Sequence, residues 1–330
     1  MKILFLTEYG EGVGYGHLSR CTALADGFSE YDCEITMISS GGRSNFKPNR
    51  GFDFINKEWK NKTFLKNYLQ DHDITVTDSY RANYSILRYI GEQSHLPVYL
   101  VDSTMNFYPA GVILFPSVYA DNINLEEYGE IEVIAGREYL LFTKEFWNVN
   151  KKEITNSLKH LGVSLGGIAD KKITDVLSQV HQSLPELNKV SVFGNLDDDL
   201  IGEIDGDKIV AKGFMKKSEY VEALLQQDAM ICNGGQTLNE SLLLGLPALS
   251  LVCADNQKKN ANYWEQAGFS MNVDVRNHIN KRELNNKLKK LATFSFRKKV
   301  NRKSVDLIDS DGAIKAAKKL LEIAFEKRNR

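Results

Sequence analysis

The sequence predicts an α/β protein made of two doubly wound, parallel-sheet domains in succession, at residues 1–148 and 149–330. Three observations lead there. Short apolar, β-branched runs alternate with helix-period segments from end to end, the pattern of βαβ units whose sheets are covered on both faces. A polar stretch without strand periodicity, "KEFWNVNKKEITN" at 144–156, interrupts the alternation near the middle. Each half opens with a strand running into a glycine-containing turn, "LTEYGEGVGYGH" in the first and "VSLGGIAD" in the second. Two Rossmann-like domains facing across a cleft follow, with ligands expected beyond the carboxyl ends of the strands.

In the first half, strands are expected at 2–7, 34–39, 74–77, 98–102 and 111–115, with helices at 17–29, 62–69 and 83–92. In the second, strands are expected at 162–165, 189–193, 208–212, 229–233 and 247–253, with helices at 172–184, 217–227, 238–244 and 258–267. The last fifty residues are richer in Lys and Arg than in Asp and Glu, notably in "RKKVNRK" at 297–303. The first reading of that basic helical tail is a solvated face, and the second is a weak contact with a membrane surface or an anionic acceptor.

Composition removes several function classes. A length of 330 residues allows two cores of ordinary size. A net charge of −1 leaves no electrostatic footprint for nucleic acid. Cys21, Cys33, Cys232 and Cys253 form no CxxC pair or zinc-ligand spacing, so they read as buried thiols in a reducing compartment and no metal is expected. The amino terminus enters a strand without a signal-peptide core, and no apolar run reaches the roughly 18 residues of a membrane span. A cytoplasmic location and no integral membrane segment are expected.

The first glycine loop carries Gly10, Gly12, Gly14 and Gly16, then His17 and a helical pattern. A dinucleotide GxGxxG fails in register: counted from Gly10 the sixth place is Tyr15, and counted from Gly12 it is His17. The second strand ends "MISSGG", without an acidic residue for a ribose, and no GK[ST] follows for a P-loop. What remains is a backbone able to approach a ligand closely, delivering an imidazole at a helix amino terminus. The helix dipole there disfavours imidazolium and leaves His17 free to accept a proton. Arg20, one turn later, reads first as the partner of a structural acid.

In the second half, "AMICNGGQTLNESLLLGLPALSLVCADNQ" places Gly234 and Gly235 before a helix start, where free N–H groups suit a diphosphate. Thr237 and Glu240 fit a capping box, and Glu240 equally fits a ribose acceptor. Asp255, Asn256 and Gln257 follow the next strand, where amides either read sugar hydroxyls or cap a helix. The acidic run 197–199 reads as solvated surface.

Together these motifs resemble the UDP-sugar hydrolase family of bacterial pseudaminic acid biosynthesis, a relative of the peptidoglycan UDP-N-acetylglucosamine transferase with the GT-B fold. "GYGHLSR" is similar to the family's G-x-G-H-x-x-R loop, "TDSY" to its D-x-Y segment, and "VDS" at 101–103 to a strand ending in aspartate. "GREYLLFTKEF" resembles its junction stretch and "NGGQTLNE…GLP…DNQ" its nucleotide half. The resemblance implies an inverting, metal-independent attack of water on a UDP-linked diacetamido-trideoxy or similar amino sugar, for nonulosonic acid or surface-glycan synthesis. Glycosyl transfer from a UDP-sugar to a hydroxyl acceptor is the alternative. It implies His17 and Tyr80 as catalytic residues. Gly166, Gly167, Gly234, Gly235, Gln236, Thr237 and Glu240 would hold the nucleotide, and Gly14, Gly16, Asn256 and Gln257 the sugar. No cofactor is implied. The chain departs from the family at Thr143, where an arginine is expected, at Ile168 and Ala169, which replace a Thr-Asp pair, and beyond Phe269.

Overall fold

The computed structural model describes residues 1–330 apart from 11, 43–49, 103–107, 121–130, 166–169, 195–207, 214, 305–306 and 330, and without the side chains of 170 and 171. The chain forms two compact units. The first comprises Met1–Trp147 with Ser310–Arg330, and the second Asn148–Asp309.

The first unit holds a seven-stranded sheet. Its strands are β1 (Lys2–Tyr9), β2 (Glu34–Gly41), β3 (Asp53–Asn56), β4 (Ile74–Thr77), β5 (Leu96–Leu100), β6 (Val112–Phe115) and β7 (Glu132–Ala135). All pair in parallel in the order β3-β2-β1-β4-β5-β6-β7. β1 is buried from Ile3 to Tyr9, as a central parallel strand covered on both faces must be. Helices α1 (Gly16–Ser29), α2 (Lys62–Asp71) and α3 (Tyr84–Gln93) connect the strands. The last two start where Asn61 and Asn83 accept hydrogen bonds from the backbone N–H groups of Phe64 and Ile86.

The second unit holds β8 (His160–Ser164), β9 (Lys189–Phe193), β10 (Ile209–Gly213), β11 (Ala229–Asn233), β12 (Ala248–Val252) and β13 (Ser270–Asp274). Their order is β10-β9-β8-β11-β12-β13, again parallel. Its helices are α4 (Asp170–Ser183), α5 (Lys217–Leu225), α6 (Gln236–Leu243), α7 (Asp255–Gln266), α8 (Lys281–Ala292) and α9 (Phe294–Ser304). The strand order reverses between β1 and β4 in one sheet and between β8 and β11 in the other. Those reversals are where a doubly wound sheet opens a ligand crevice at its carboxyl edge.

Three strands lie outside the expected set: β3, β7 and β13, each of four or five residues. The last helix, α10 (Gly312–Arg328), also departs from expectation. The expected bounds of 149–330 put it in the second half, but its small-residue face, Ala313, Ala316 and Ala317, joins the core of the first unit. A Cβ on Gly27 of α1 would lie 2.3 Å from the carbonyl oxygen of Ala313, so that contact is backbone to backbone. The run at 297–303 lies in α9, where Lys298, Lys299, Arg302 and Lys303 are exposed as a solvated helical face requires, while Arg297 is fully buried and donates to the carbonyls of Thr155 and Asn156.

Candidate functional site

The reversal of strand order sets the site's geometry in the first unit. Leu6 of β1 pairs with Thr77 of β4, and the Asp78 N–H donates to the Leu6 carbonyl at 2.9 Å. The residues following β1 and β4 therefore start side by side. The loop after β1 is closed by reciprocal hydrogen bonds between Gly10 and Gly14, at 2.9 and 2.7 Å. Gly10 and Gly14 have φ of +105° and +77°, a left-handed backbone that L residues rarely adopt. Gly16 differs in opening α1 with ordinary φ, and at neither Gly14 nor Gly16 does an atom lie within 4 Å of a Cβ position. His17, the second residue of the helix, is thereby turned toward the end of β4.

Nδ1 of His17 lies 2.5 Å from Oδ1 of Asp78, and both side chains are almost fully buried. Arg20, one turn along α1, donates to both Asp78 oxygens at 2.5 and 2.7 Å and to Asp102 at 2.9 Å. Burial opposes the charge of Asp78, but Arg20 and then His17 outweigh it and hold the carboxyl below its usual range. Burial also opposes Asp102, yet Arg20 and the Tyr80 hydroxyl bring it down to about 2. Two carboxylates thus face one guanidinium beside the imidazole. Nδ1 has two polar neighbours: the Asp78 carboxylate at 2.5 Å, which can only accept, and Nη2 of Arg20 at 2.8 Å, which can only donate. With the Nδ1 proton toward the nearer carboxylate, Nε2 is left as the basic nitrogen. The expectation from the helix dipole covered only half of these surroundings. The nearest polar partner of the imidazole is Asp78.

Tyr80 packs edge-on against His17 with ring centroids 4.3 Å apart. It is held at both ends: its hydroxyl donates to Asp102, and its backbone N–H donates to Glu8 at 2.8 Å. Glu8, fully buried at the end of β1, also accepts the Ser79 hydroxyl at 2.9 Å. A small cavity lined by Arg20, Ser79, Tyr80, Asp102 and Tyr108 opens beside this cluster. A larger polar groove lies at the amino ends of the strands, among Lys2, Glu34, Asp53 and His72, away from that constellation.

In the second unit, β11 ends at Asn233 and α6 begins at Gln236. Gly235 is the residue before the helix, and no side chain caps it. The capping box expected of Thr237 and Glu240 is therefore absent, because both lie inside the helix. Glu240 is instead buried, and its carboxylate accepts from the Lys217 ammonium at 2.7 Å. A Cβ on Gly234 would lie 3.0 Å from the Ala261 Cβ and 3.2 Å from that of Gln257, so this glycine lets the β11–α6 turn sit against α7. The Asn260 amide of α7 donates to the Gly234 carbonyl at 2.8 Å. At the start of α7, Gln257 accepts the Cys253 N–H at 2.9 Å, while Asn256 is exposed. Ala254 precedes the helix and neither Asp255 nor Asn256 caps it; Asp255 pairs with Arg276.

The structure thus brings His17 and Tyr80 together in one unit, and Gly234, Gly235, Gln236, Thr237, Glu240, Asn256 and Gln257 around the β11 and β12 ends in the other. Gly166 and Gly167, and the run 197–199, lie outside the described residues. Sequence reasoning assigns no role to Glu8 or Lys217, nor to Asp78 and Asp102, although both aspartates stand in the matched motifs. The two aspartates had a usable signal, an aspartate just beyond a parallel strand in "TDSY" and "VDS". Cys21 and Cys232 are buried, and burial, first among the causes, raises both thiols well above their usual range. Among the described residues, no group of three His, Cys, Asp or Glu side chains could hold a metal ion, and no helix is long and apolar enough to cross a membrane.

No family model matches the chain. An uncharacterized protein of Methanocaldococcus jannaschii is 23% identical over 78% of the chain, a match spanning 57% of that protein's length. The spore coat polysaccharide biosynthesis protein SpsG of Bacillus subtilis is 20% identical over 96% of both chains. The UDP-2,4-diacetamido-2,4,6-trideoxy-β-L-altropyranose hydrolase of Campylobacter jejuni is 20% identical over 82% of this chain and 98% of its own. Among solved structures, MurG of Acinetobacter baumannii matches with a TM-score of 0.66 at 14% identity, covering 98% of this chain and 100% of its own. The calicheamicin glycosyltransferase CalG4 matches with a TM-score of 0.67 at 12% identity, covering 98% of both. With its two parallel sheets and these likenesses, the chain has the GT-B fold.

Proposed function

We propose that this protein cleaves a UDP-sugar at its anomeric carbon, with water as the nucleophile and His17 as the general base. The observation that carries the reading is the buried His17–Asp78 pair at the switch point of the first sheet. Asp78 fixes the proton on Nδ1, so Nε2 takes a proton from the nucleophile as its oxygen bonds to the anomeric carbon. UDP leaves with the electrons of the broken C–O bond, and the free N–H groups at the start of α6 suit its diphosphate. Glu240, oriented by Lys217, accepts from the ribose hydroxyls, and Asn256 and Gln257 read the sugar. Tyr80 closes the base against bulk solvent. The Campylobacter relative, a hydrolase by name, and the burial of His17 to 2% exposure both support a small nucleophile.

Transfer of the sugar to a hydroxyl acceptor is the second reading, supported by the glycosyltransferases among the solved structures and by the polysaccharide-synthesis relative. Incubation with a panel of UDP-sugars and no acceptor separates the two. Hydrolysis releases UDP and reducing sugar in buffer alone. Release that waits for an acceptor replaces water by a hydroxyl and leaves the His17 assignment standing.

A further inference from the structure

The segment from Lys281 to Lys303 contains ten Lys and Arg residues against a single acid, Glu283, in a chain whose totals are 42 basic and 43 acidic. This imbalance lies on two successive helices of the second unit, and their geometry separates charge from core. On α8 the leucines at 284, 288 and 291 are fully buried, while Arg282, Lys289 and Lys290 are exposed. On α9 the inner face is Arg297, Val300 and Ser304, and the outer face presents Lys298, Lys299 and Arg302. Among the described residues none of these six exposed cations pairs with an acid. Glu283 is engaged by Lys287. Two part-exposed rings sit among the cations: the Lys298 ammonium lies 5.2 Å from the centroid of Phe294, and that of Lys290 lies 5.7 Å from that of Phe296.

We propose that the outer faces of α8 and α9 form a docking surface for an anionic phospholipid bilayer. A negatively charged surface attracts each exposed Lys or Arg near it, so six such cations on two successive helices add their contributions. Lysines predominate over arginines, so the patch offers mobile point charges on flexible stems. That suits a diffuse headgroup field better than the bidentate phosphate contacts of a nucleic-acid site. Phe294, a part-exposed ring between the cations and outside the core clusters, suits the headgroup boundary, whereas Phe296 packs against the core.

Co-sedimentation of the full chain with vesicles tests this. Phosphatidylcholine vesicles containing phosphatidylglycerol should pull the protein down at low salt, vesicles of phosphatidylcholine alone should not, and roughly 0.5 M salt should release it. The variant carrying Arg282→Gln, Lys289→Gln, Lys299→Gln and Arg302→Gln removes no core contact and should unfold at the wild-type temperature. Its partition onto the anionic vesicles should fall on the order of a hundredfold or more. Lys318→Gln with Lys319→Gln, on exposed positions of α10, should leave partition unchanged. Absence of binding, equal binding to neutral vesicles, equal loss in the α10 variant, or displacement from the vesicles by an equal charge of duplex DNA overturns the proposal.

Discussion

Oδ1 of Asp78 sits 2.5 Å from Nδ1 of His17, and the same carboxylate takes two hydrogen bonds from Arg20. That acid is the nearest polar partner of the imidazole, and a guanidinium keeps it ionised in a buried site. Replacing Asp78 by Asn keeps the shape and removes the charge. The expected result is a fall in kcat of roughly 10²–10⁴-fold with UDP affinity unchanged, since the lost interaction belongs to the proton-transfer step. Steady-state kinetics beside a calorimetric UDP titration checks it. A weakened UDP titration with unchanged kcat would assign Asp78 to binding instead.

Tyr80 is anchored by Asp102 at its hydroxyl and by Glu8 at its backbone. Tyr80→Phe releases only the first anchor. It should lower kcat about tenfold, because the ring remains against His17 but loses its tether. Tyr80→Ala uncovers the imidazole and should lower kcat further. Equal kcat in both variants would show that the ring's position does not matter.

The Lys217–Glu240 pair separates binding from stability. Glu240→Ala should weaken UDP on the order of tenfold or more, with little change in kcat at saturation. Thermal unfolding run in parallel decides the alternative: a lowered Tm with normal UDP affinity would make Glu240 a structural partner of Lys217 only.

Asp102 also ties stability to pH. Its folded value of about 2 lies below the usual carboxylate value near 4, so the unfolded chain binds the proton first as acid is added. The stabilisation is complete above about pH 4 and is lost as pH falls toward 2. Roughly 2 kcal/mol is at stake, from a shift of nearly two units. Chemical denaturation of the wild type and Asp102→Asn across pH 2–5 should show the curves converging in acid. Parallel curves would remove Asp102 from the linkage.

Gly27 reports on α10. A Cβ there meets the Ala313 carbonyl oxygen at 2.3 Å, so Gly27→Ala should cost about 1–3 kcal/mol by forcing the helices apart. An unchanged Tm would mean that α10 does not rest on α1 in solution.

Most of the fold was legible because parallel strands buried on both faces read as unbroken apolar runs, as in "KILFLTEY" and "ALSLV". β3 and β7 escaped because short, partly exposed edge strands carry a weak pattern. The unit that α10 joins is not legible, because an alanine-rich stripe says that a helix packs closely without saying on what. His17 stood out as a histidine in a glycine loop, whereas Asp78, 61 residues away, becomes its partner only through the β1–β4 pairing. Glu240 looked like half of a capping box because Thr237 stands at the right spacing. The helix begins before both, and Lys217 arrives from another element.

The most direct test of the account compares wild type with His17→Ala on a UDP-sugar that the wild type turns over, recording kcat together with the dissociation constant for UDP. His17→Ala is expected to lose roughly 10²–10⁴-fold in kcat with UDP affinity nearly unchanged. A near-normal kcat in His17→Ala would contradict it.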